Sequence, residues 1–222
     1  MTESKKPPIG AVITGCSSGI GKATEIELRN RGVRTYGISR RTGVDVRDEQ
    51  QVHLFYDALP DPAPQLLVTC AGIIAPEAFP ASVSSWRRVI DVNVMGVLIV
   101  VREHVTRLID AGLPGRVVLL GSPSGRRPSM SNLAYGVSKA AVHALGIGLA
   151  RGLEARDIKV YTLCPSHVDT PMLRSRGFDD LDVLDLLQPE DVAKEIAQLL
   201  LEENFLDGQP IFMSRMVIAK QQ

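Results

Sequence analysis

Cysteine is scarce in this 222-residue chain. The three residues, Cys16, Cys70 and Cys164, are odd in number, far apart and form no C-x-x-C pair, which excludes a disulfide scaffold and a zinc ribbon. His53, His104 and His143 have no ligand-like spacing and read as packing or surface residues, so no metal is expected. Net charge is also missing: Lys plus Arg and Asp plus Glu stand at 25 each. That balance argues against a protein living mainly on nucleic acid or anionic lipid. No long hydrophobic run exists, since the most apolar stretch, Val92–Val101, is too short to span a bilayer. The opening MTESKKPPIG has no apolar signal-peptide core. These absences predict a soluble cytoplasmic protein with no nucleic-acid or membrane partner.

What remains is 45% apolar and 23% charged, close to a globular average. A chain of this size suits one domain and buries roughly 70% of its unfolded surface without staples. Neither a repeat nor a low-complexity tract is visible. A loose tail at residues 1–8 precedes one domain at 9–222. Within it, short apolar runs alternate with segments of helical period. Strands are predicted at Ile9–Thr14, Val33–Ser39, Leu66–Thr69, Arg116–Leu120 and Lys159–Leu163, with a final edge strand at Pro210–Met213. Helices are predicted at Ile20–Arg31, Ser84–Ala111, Tyr135–Glu154 and Glu190–Glu203, the last opened by Pro189. This alternation specifies an α/β fold, a Rossmann-like doubly wound parallel sheet with helices on both faces. Such sheets bind ligands beyond the carboxyl ends of their strands, so the loops after each strand carry the function. All three cysteines fall in or beside those loops and read as small polarisable fillers.

The first strand runs through Thr14-Gly15-Cys16-Ser17-Ser18-Gly19-Ile20-Gly21 directly into a helix. A helix N-terminus offers unpaired N–H groups and about half a positive charge, a ready anion site. Glycine at 15, 19 and 21 allows a sharp turn and close approach of backbone to a pyrophosphate. The spacing is G-x-x-x-G-x-G rather than G-x-G-x-x-G, and no Gly-Lys-Ser/Thr closes a P-loop. At the end of the second strand an acidic residue would accept from a ribose 2′-hydroxyl. Ser39 stands there instead, followed by Arg40 and Arg41, whose guanidinium groups suit a 2′-phosphate. The expected cofactor is therefore NADP(H) in preference to NAD(H).

Tyr135 and Lys139 lie four residues apart, on one face of the helix they open. A phenol needs its phenolate stabilised before it can move protons at neutral pH, and a neighbouring ammonium does this. Ser122, just past a strand, can donate a hydrogen bond to a substrate oxygen.

These motifs together resemble the short-chain dehydrogenase/reductase family, from Ile9 to about Met213. Thr14–Gly21 resembles its TGxxxGxG loop, and Ser122, Tyr135 and Lys139 its catalytic set. Asn93, in Asp91-Val92-Asn93, is similar to its fourth catalytic residue, which holds a relay water beside the lysine. Cys70-Ala71-Gly72 sits at the family's NAG turn, and Pro165 to Thr170 resembles its PGxxxT segment. The resemblance implies hydride transfer between a nicotinamide and a small-molecule carbonyl or secondary alcohol. Tyr135 is then the acid/base, Lys139 lowers its pKa and holds the nicotinamide ribose, and Ser122 orients the carbonyl. It further implies that Asp45 and Val46 contact adenine, that Val168, Thr170 and Met172 lie by the nicotinamide, and that homo-dimers or homo-tetramers pair the Ser84–Ala111 and Tyr135–Glu154 helices.

There are departures from the pattern. Thr69-Cys70 replaces two amides, Ser166 replaces a glycine, and Pro123 biases Ser122 towards extended backbone. Between Arg40 and Asp45 only a short loop fits where the family has a crossover helix, which leaves the adenine end open. Residues Met172–Leu187, with Arg174, Arg176, Asp179, Asp180, Asp182 and Asp185, read either as a lid or as a packed helix edge. Arg126 and Arg127 read as a solvated turn or as a greeting for an anionic substrate. Two other functions share the fold: an epimerase or dehydratase without net redox turnover, and a non-catalytic NADP(H) sensor.

Overall fold

A computed structural model describes residues 10–59, 63–75, 79–175, 186–202 and 208–214. The 1–8 tail, Ile9, residues 176–185 of the lid segment and Glu203 lie outside the described residues. Six strands form one sheet: β1 (Gly10–Thr14), β2 (Arg34–Ile38), β3 (Leu66–Thr69), β4 (Gly115–Leu120), β5 (Ile158–Pro165) and β6 (Pro210–Met213). Their order is β2-β1-β3-β4-β5-β6, and every pairing is parallel.

Buried parallel strands carry apolar side chains to both faces, and alternate residues separate the two layers. Ala11, Ile13, Leu66, Val68 and Leu163 face α1 (Gly19–Asn30) and α7 (Pro189–Leu201). Val12, Leu67, Val117, Leu119 and Val160 face the opposite helices, α2 (Glu49–Asp57), α4 (Gly96–Ala111) and α5 (Leu133–Leu153). Strand order reverses between β1 and β3, which opens a crevice at their carboxyl ends.

Two differences from the sequence reading have physical causes, and the short loop expected after Arg40 is present. Helix α2 was not predicted, because its buried face amounts to Val52 and Tyr56 alone. Asp48 starts it by accepting from Gln51 N at 3.0 Å. The single helix expected over Ser84–Ala111 is instead α3 (Val83–Ile90), a π turn at Asp91–Met95, and α4, which ends at left-handed Gly112. Between Arg40 and Asp45 the chain makes only a 3₁₀ turn, Arg40–Thr42. β2 is therefore the edge of the sheet.

Against the expectation that no apolar stretch is long enough, helix α5 sits in a helical stretch, 130–156, with an 18-residue window (mean hydropathy 1.3) long and apolar enough by composition to cross a membrane. Its apolarity has a local use: Val142, Gly146, Ala150 and Leu153 are buried as the helix packs on the sheet.

Candidate active site

A cavity of about 710 Å³ opens at the carboxyl ends of the strands. Its floor is the loop from β1 to α1, where Gly15, Ser17, Ser18, Gly19, Ile20 and Gly21 line the wall. Gly15 has φ 68, and a Cβ there would lie 2.8 Å from Ala71 N; a Cβ on Gly21 would collide with the Gly15 carbonyl oxygen. Glycine is thus required for the backbone to fold this tightly and leave room for a ligand. Ser18, the N-cap of α1, makes no side-chain capping bond, so no side chain competes for the first-turn N–H groups. Thr14 does not line the cavity. Its hydroxyl accepts from Ala71 N at 3.0 Å and ties β1 to the neighbouring loop.

One end of the cavity is made by Ser39, Arg40, Asp45, Val46 and the unpredicted Arg47. Ser39 caps the 3₁₀ turn: its hydroxyl accepts from Thr42 N at 3.2 Å, and Ser39 N donates to Thr42 Oγ1 at 2.9 Å. Successive side chains in such a turn diverge by about a third of a circle, and Arg40 lines the cavity whereas Arg41 does not. Asp45 is held by Arg47 through contacts of 2.6–3.1 Å. That bond is the main reason its carboxyl stays below the usual range, with a smaller contribution from the Arg40 charge.

Opposite stands a wall built on β4, β5 and α5. Ser122, two residues past β4, has φ −169 and ψ 150, the extended backbone favoured by Pro123, and its hydroxyl accepts from Ser124 N at 3.2 Å. Tyr135 and Lys139 project from α5 into the same cavity. Lys139 Nζ lies 5.6 Å from the Tyr135 ring centroid and donates to Leu120 O at 2.7 Å. The lysine is 6% exposed, so its charge acts on the phenol through little water.

Asn93 sits behind this wall rather than on it. From the π turn, its Oδ1 accepts from Ile73 N at 2.8 Å, while Nδ2 donates to Ile73 O at 2.8 Å and Ser138 Oγ at 3.0 Å. Ser138 Oγ in turn donates to Tyr135 O at 2.7 Å. One buried amide thus joins the 70–75 loop to the turn of α5 that bears Tyr135. A widened turn of this kind often marks a functional site.

The remaining wall consists of Cys70, Ala71 and Gly72 after β3 and of Pro165, Val168, Thr170 and Met172 after β5. Burial pushes the Cys70 thiol up to about 12, so it is un-ionised at neutral pH. Where Thr69 departs from the family's amide, its hydroxyl is buried without a hydrogen-bond partner. Ser166 fits without strain: Asp157 alone among described non-glycine residues has positive φ, and Ser166 N donates to Met213 O at 2.9 Å. Of the segment after Thr170, Leu186 and Leu187 are fully buried, and Leu187 bridges Val168. Arg126 and Arg127 do not line the cavity. The Arg126 guanidinium lies over the Phe212 ring, 5.7 Å from its centroid.

Arg47, Arg88, Ile73, Ile74, Asn132 and His167 line the cavity and were not predicted as site residues. Arg88 had a readable signal, since it precedes Val92 by four residues on one helical face. Asn132 had none.

A doubly wound sheet carrying Ser122, Tyr135 and Lys139 beyond its strand ends defines a Rossmann-like dehydrogenase fold. The match extends to sequence: residues 40–180 fit the family described as short chain dehydrogenase. An uncharacterized oxidoreductase of Mycobacterium tuberculosis is 32% identical over 188 residues, 75% of this chain and 68% of that one. Among solved structures, "ElxO with NADP Bound" has a TM-score of 0.85 at 21% identity, covering 96% of this chain and 99% of that one. "4-hydroxyisoleucine dehydrogenase complexed with NADH" has a TM-score of 0.82 at 23% identity, covering 92% and 96%. The chain belongs to the short-chain dehydrogenase/reductase family of oxidoreductases.

Proposed function

We propose that the protein is an NADP(H)-dependent oxidoreductase that interconverts a carbonyl and a secondary alcohol on a small molecule, with Tyr135 as the acid/base. The observation that carries this reading is that Ser122, Tyr135 and Lys139 share one cavity with the Gly15–Gly21 loop and Arg40. The residues present fit a dinucleotide. The glycine cradle and the α1 N-terminus suit a pyrophosphate, and the Arg40 guanidinium suits a 2′-phosphate. Bound there, the nicotinamide supplies or accepts the hydride.

The protein's part is position and proton movement. Ser122 donates a hydrogen bond to the substrate oxygen, and in reduction Tyr135 delivers its phenolic proton to that same oxygen. Lys139 favours the resulting phenolate by its charge, and its two remaining N–H bonds are free for a ribose hydroxyl. Asn93 has its side chain engaged, so it holds a relay water by its main chain. The same reading has chains pair through α4 and α5 into a dimer or a tetramer, which light scattering registers as two or four times the 24.1 kDa chain mass.

The test is a titration with NADPH and with NADH, followed by nicotinamide fluorescence and then by a ketone panel. Tight NADPH binding with ketone-dependent oxidation is expected. Binding of neither nucleotide would overturn the reading, and binding without oxidation by any ketone would transfer it to an epimerase, a dehydratase or a sensor.

A further inference from the structure

His143 is a buried imidazole that the proposed chemistry does not use. It lies on α5 one turn beyond Lys139, 9% exposed, directly behind Ser122. Its Nε2 stands 3.2 Å from Cys164 Sγ on β5, and Cys164 Sγ also lies 3.8 Å from Thr162 O. The Ser122 main chain meets both groups, favouring a proton on the imidazole and disfavouring one on the thiol.

The loop bearing Ser122 is folded round this ring. A Cβ on Gly121 would sit 2.6 Å from Cys164 Sγ and 2.9 Å from His143 Nε2. One on Gly125 would sit 2.7 Å from His143 Cε1 and 2.7 Å from the Lys139 carbonyl carbon. Both ends of the Gly121–Gly125 loop are therefore pressed against His143 so closely that only glycine fits. Ser122 lies between them. The Phe212 ring stands perpendicular to the imidazole at 6.1 Å between centroids, and the Arg126 guanidinium lies over the Phe212 ring.

We infer that His143 is a positioning residue: its imidazole, hydrogen-bonded to Cys164 and the Ser122 main chain, is the block on which the Gly121–Gly125 loop is set so that the Ser122 hydroxyl reaches the cavity. The ring does this in its neutral form. Burial, then the Lys139 charge, hold its pKa below the ordinary value, and burial pushes the Cys164 thiol up to about 12. A neutral imidazole packs against Lys139 without repelling it, and so does not disturb the ammonium beside Tyr135. This role rests on Ser122 acting as the proposed function requires.

The test compares His143→Leu, which fills the space without a hydrogen bond, with His143→Gln, which keeps a donor at the reach of Nε2. Hydrogen exchange at the Ser124 and Gly125 amides, which bond to Ser122 Oγ and Ser122 O, reports the loop directly. In His143→Leu these amides are expected to exchange about tenfold faster, the effect of losing one net hydrogen bond, while β5 and the C-terminal half of α5 keep wild-type rates. Turnover should fall by about tenfold to a hundredfold with NADPH affinity unchanged, and His143→Gln should restore both loop exchange and turnover. Unchanged loop exchange in His143→Leu would overturn the inference. So would an equal acceleration across α5 and β5, which would make His143 a packing residue only. A wild-type chain without ketone-dependent oxidation would sink the proposed chemistry instead, and the exchange data would still decide whether His143 sets the loop.

Discussion

The two ends of the cavity are built on opposite principles. On the catalytic wall and just behind it the polar groups are buried and engaged: Ser122 and Lys139 on the wall, and Asn93 and Ser138 behind it, are each less than a tenth exposed, and each has a hydrogen-bond partner. At the Arg40 end, Arg40, Arg41 and Arg47 are exposed on one 3₁₀ turn and the short run that follows it. Removing one partner from a buried network leaves a polar group stranded at a cost of about 1–3 kcal/mol, whereas an exposed charge is exchanged for about 0–1 kcal/mol. The wall of Ser122, Tyr135 and Lys139 is thus expensive to alter, and the Arg40 end is cheap to alter. At the cheap end the chain makes only the 3₁₀ turn Arg40–Thr42, while Ser122, Tyr135 and Lys139 stand together at the expensive one.

The sharpest way to break the contrast is Tyr135→Phe. It removes one hydroxyl from the costly wall and leaves the nucleotide end untouched. Turnover is expected to fall about a thousandfold, the usual scale of a lost acid/base, with NADPH affinity within about twofold of wild type. Retained turnover in a steady-state assay would mean that another group moves the proton.

A second test lies beneath the nucleotide end, where helix α2 leads on from the Arg40–Asp45 turn. There Tyr56 OH meets His104 Nδ1 of α4 at 3.1 Å, both residues being buried. Burial lowers the His104 pKa from 6.5 to about 4, so between those values the folded chain keeps it neutral while the unfolded chain protonates it. The unfolded state binds the extra proton, so stability rises with pH through this window and is lost as pH falls from 6.5 to about 4. The shift corresponds to about 3 kcal/mol. Urea unfolding at pH 7 and pH 4.5 measures it, and His104→Gln should flatten the difference; an unchanged slope in that variant would assign the acid sensitivity elsewhere.

The same contrast explains what could be read from the sequence. β3 and β6 form at the residues predicted, and the other strands within one or two residues; β1, β3, β4 and β5 are short apolar runs closed by a glycine or cysteine, which admit little else. Ser122, Tyr135, Lys139 and Gly15–Gly21 were legible because each lies in a short motif with its own chemistry. What escaped depends on contacts distant in sequence. Helix α2 buries only two side chains, so its period is faint. The π turn at Asp91–Met95 has no signature in a stretch that reads as continuous helix. His143 looked like packing because its partners, Cys164 on β5 and the glycines at 121 and 125, are gathered only by the fold. Arg41 is adjacent to Arg40 in sequence yet does not line the cavity, a separation that the 3₁₀ turn produces and adjacency does not show.

The smallest expected effect tests the cheap end. Arg40 lines the cavity from the turn capped by Ser39, and no acidic residue stands at that strand end to accept from a ribose hydroxyl. Arg40→Asp replaces a phosphate partner with a phosphate repellent. NADPH affinity should drop about tenfold to a hundredfold, the worth of one charge-assisted hydrogen bond, while NADH affinity changes by less than about threefold. The substitution is on an exposed turn, so the melting temperature should hold. Asp45 sharpens the reading: its carboxylate is already tied to Arg47, so it is not available to take over from Arg40 unless that pair opens. Equal losses for both nucleotides would show that Arg40 supports the turn rather than the 2′-phosphate. Selectivity would then have to come from Arg47, and the exposed end would prove as constrained as the catalytic wall.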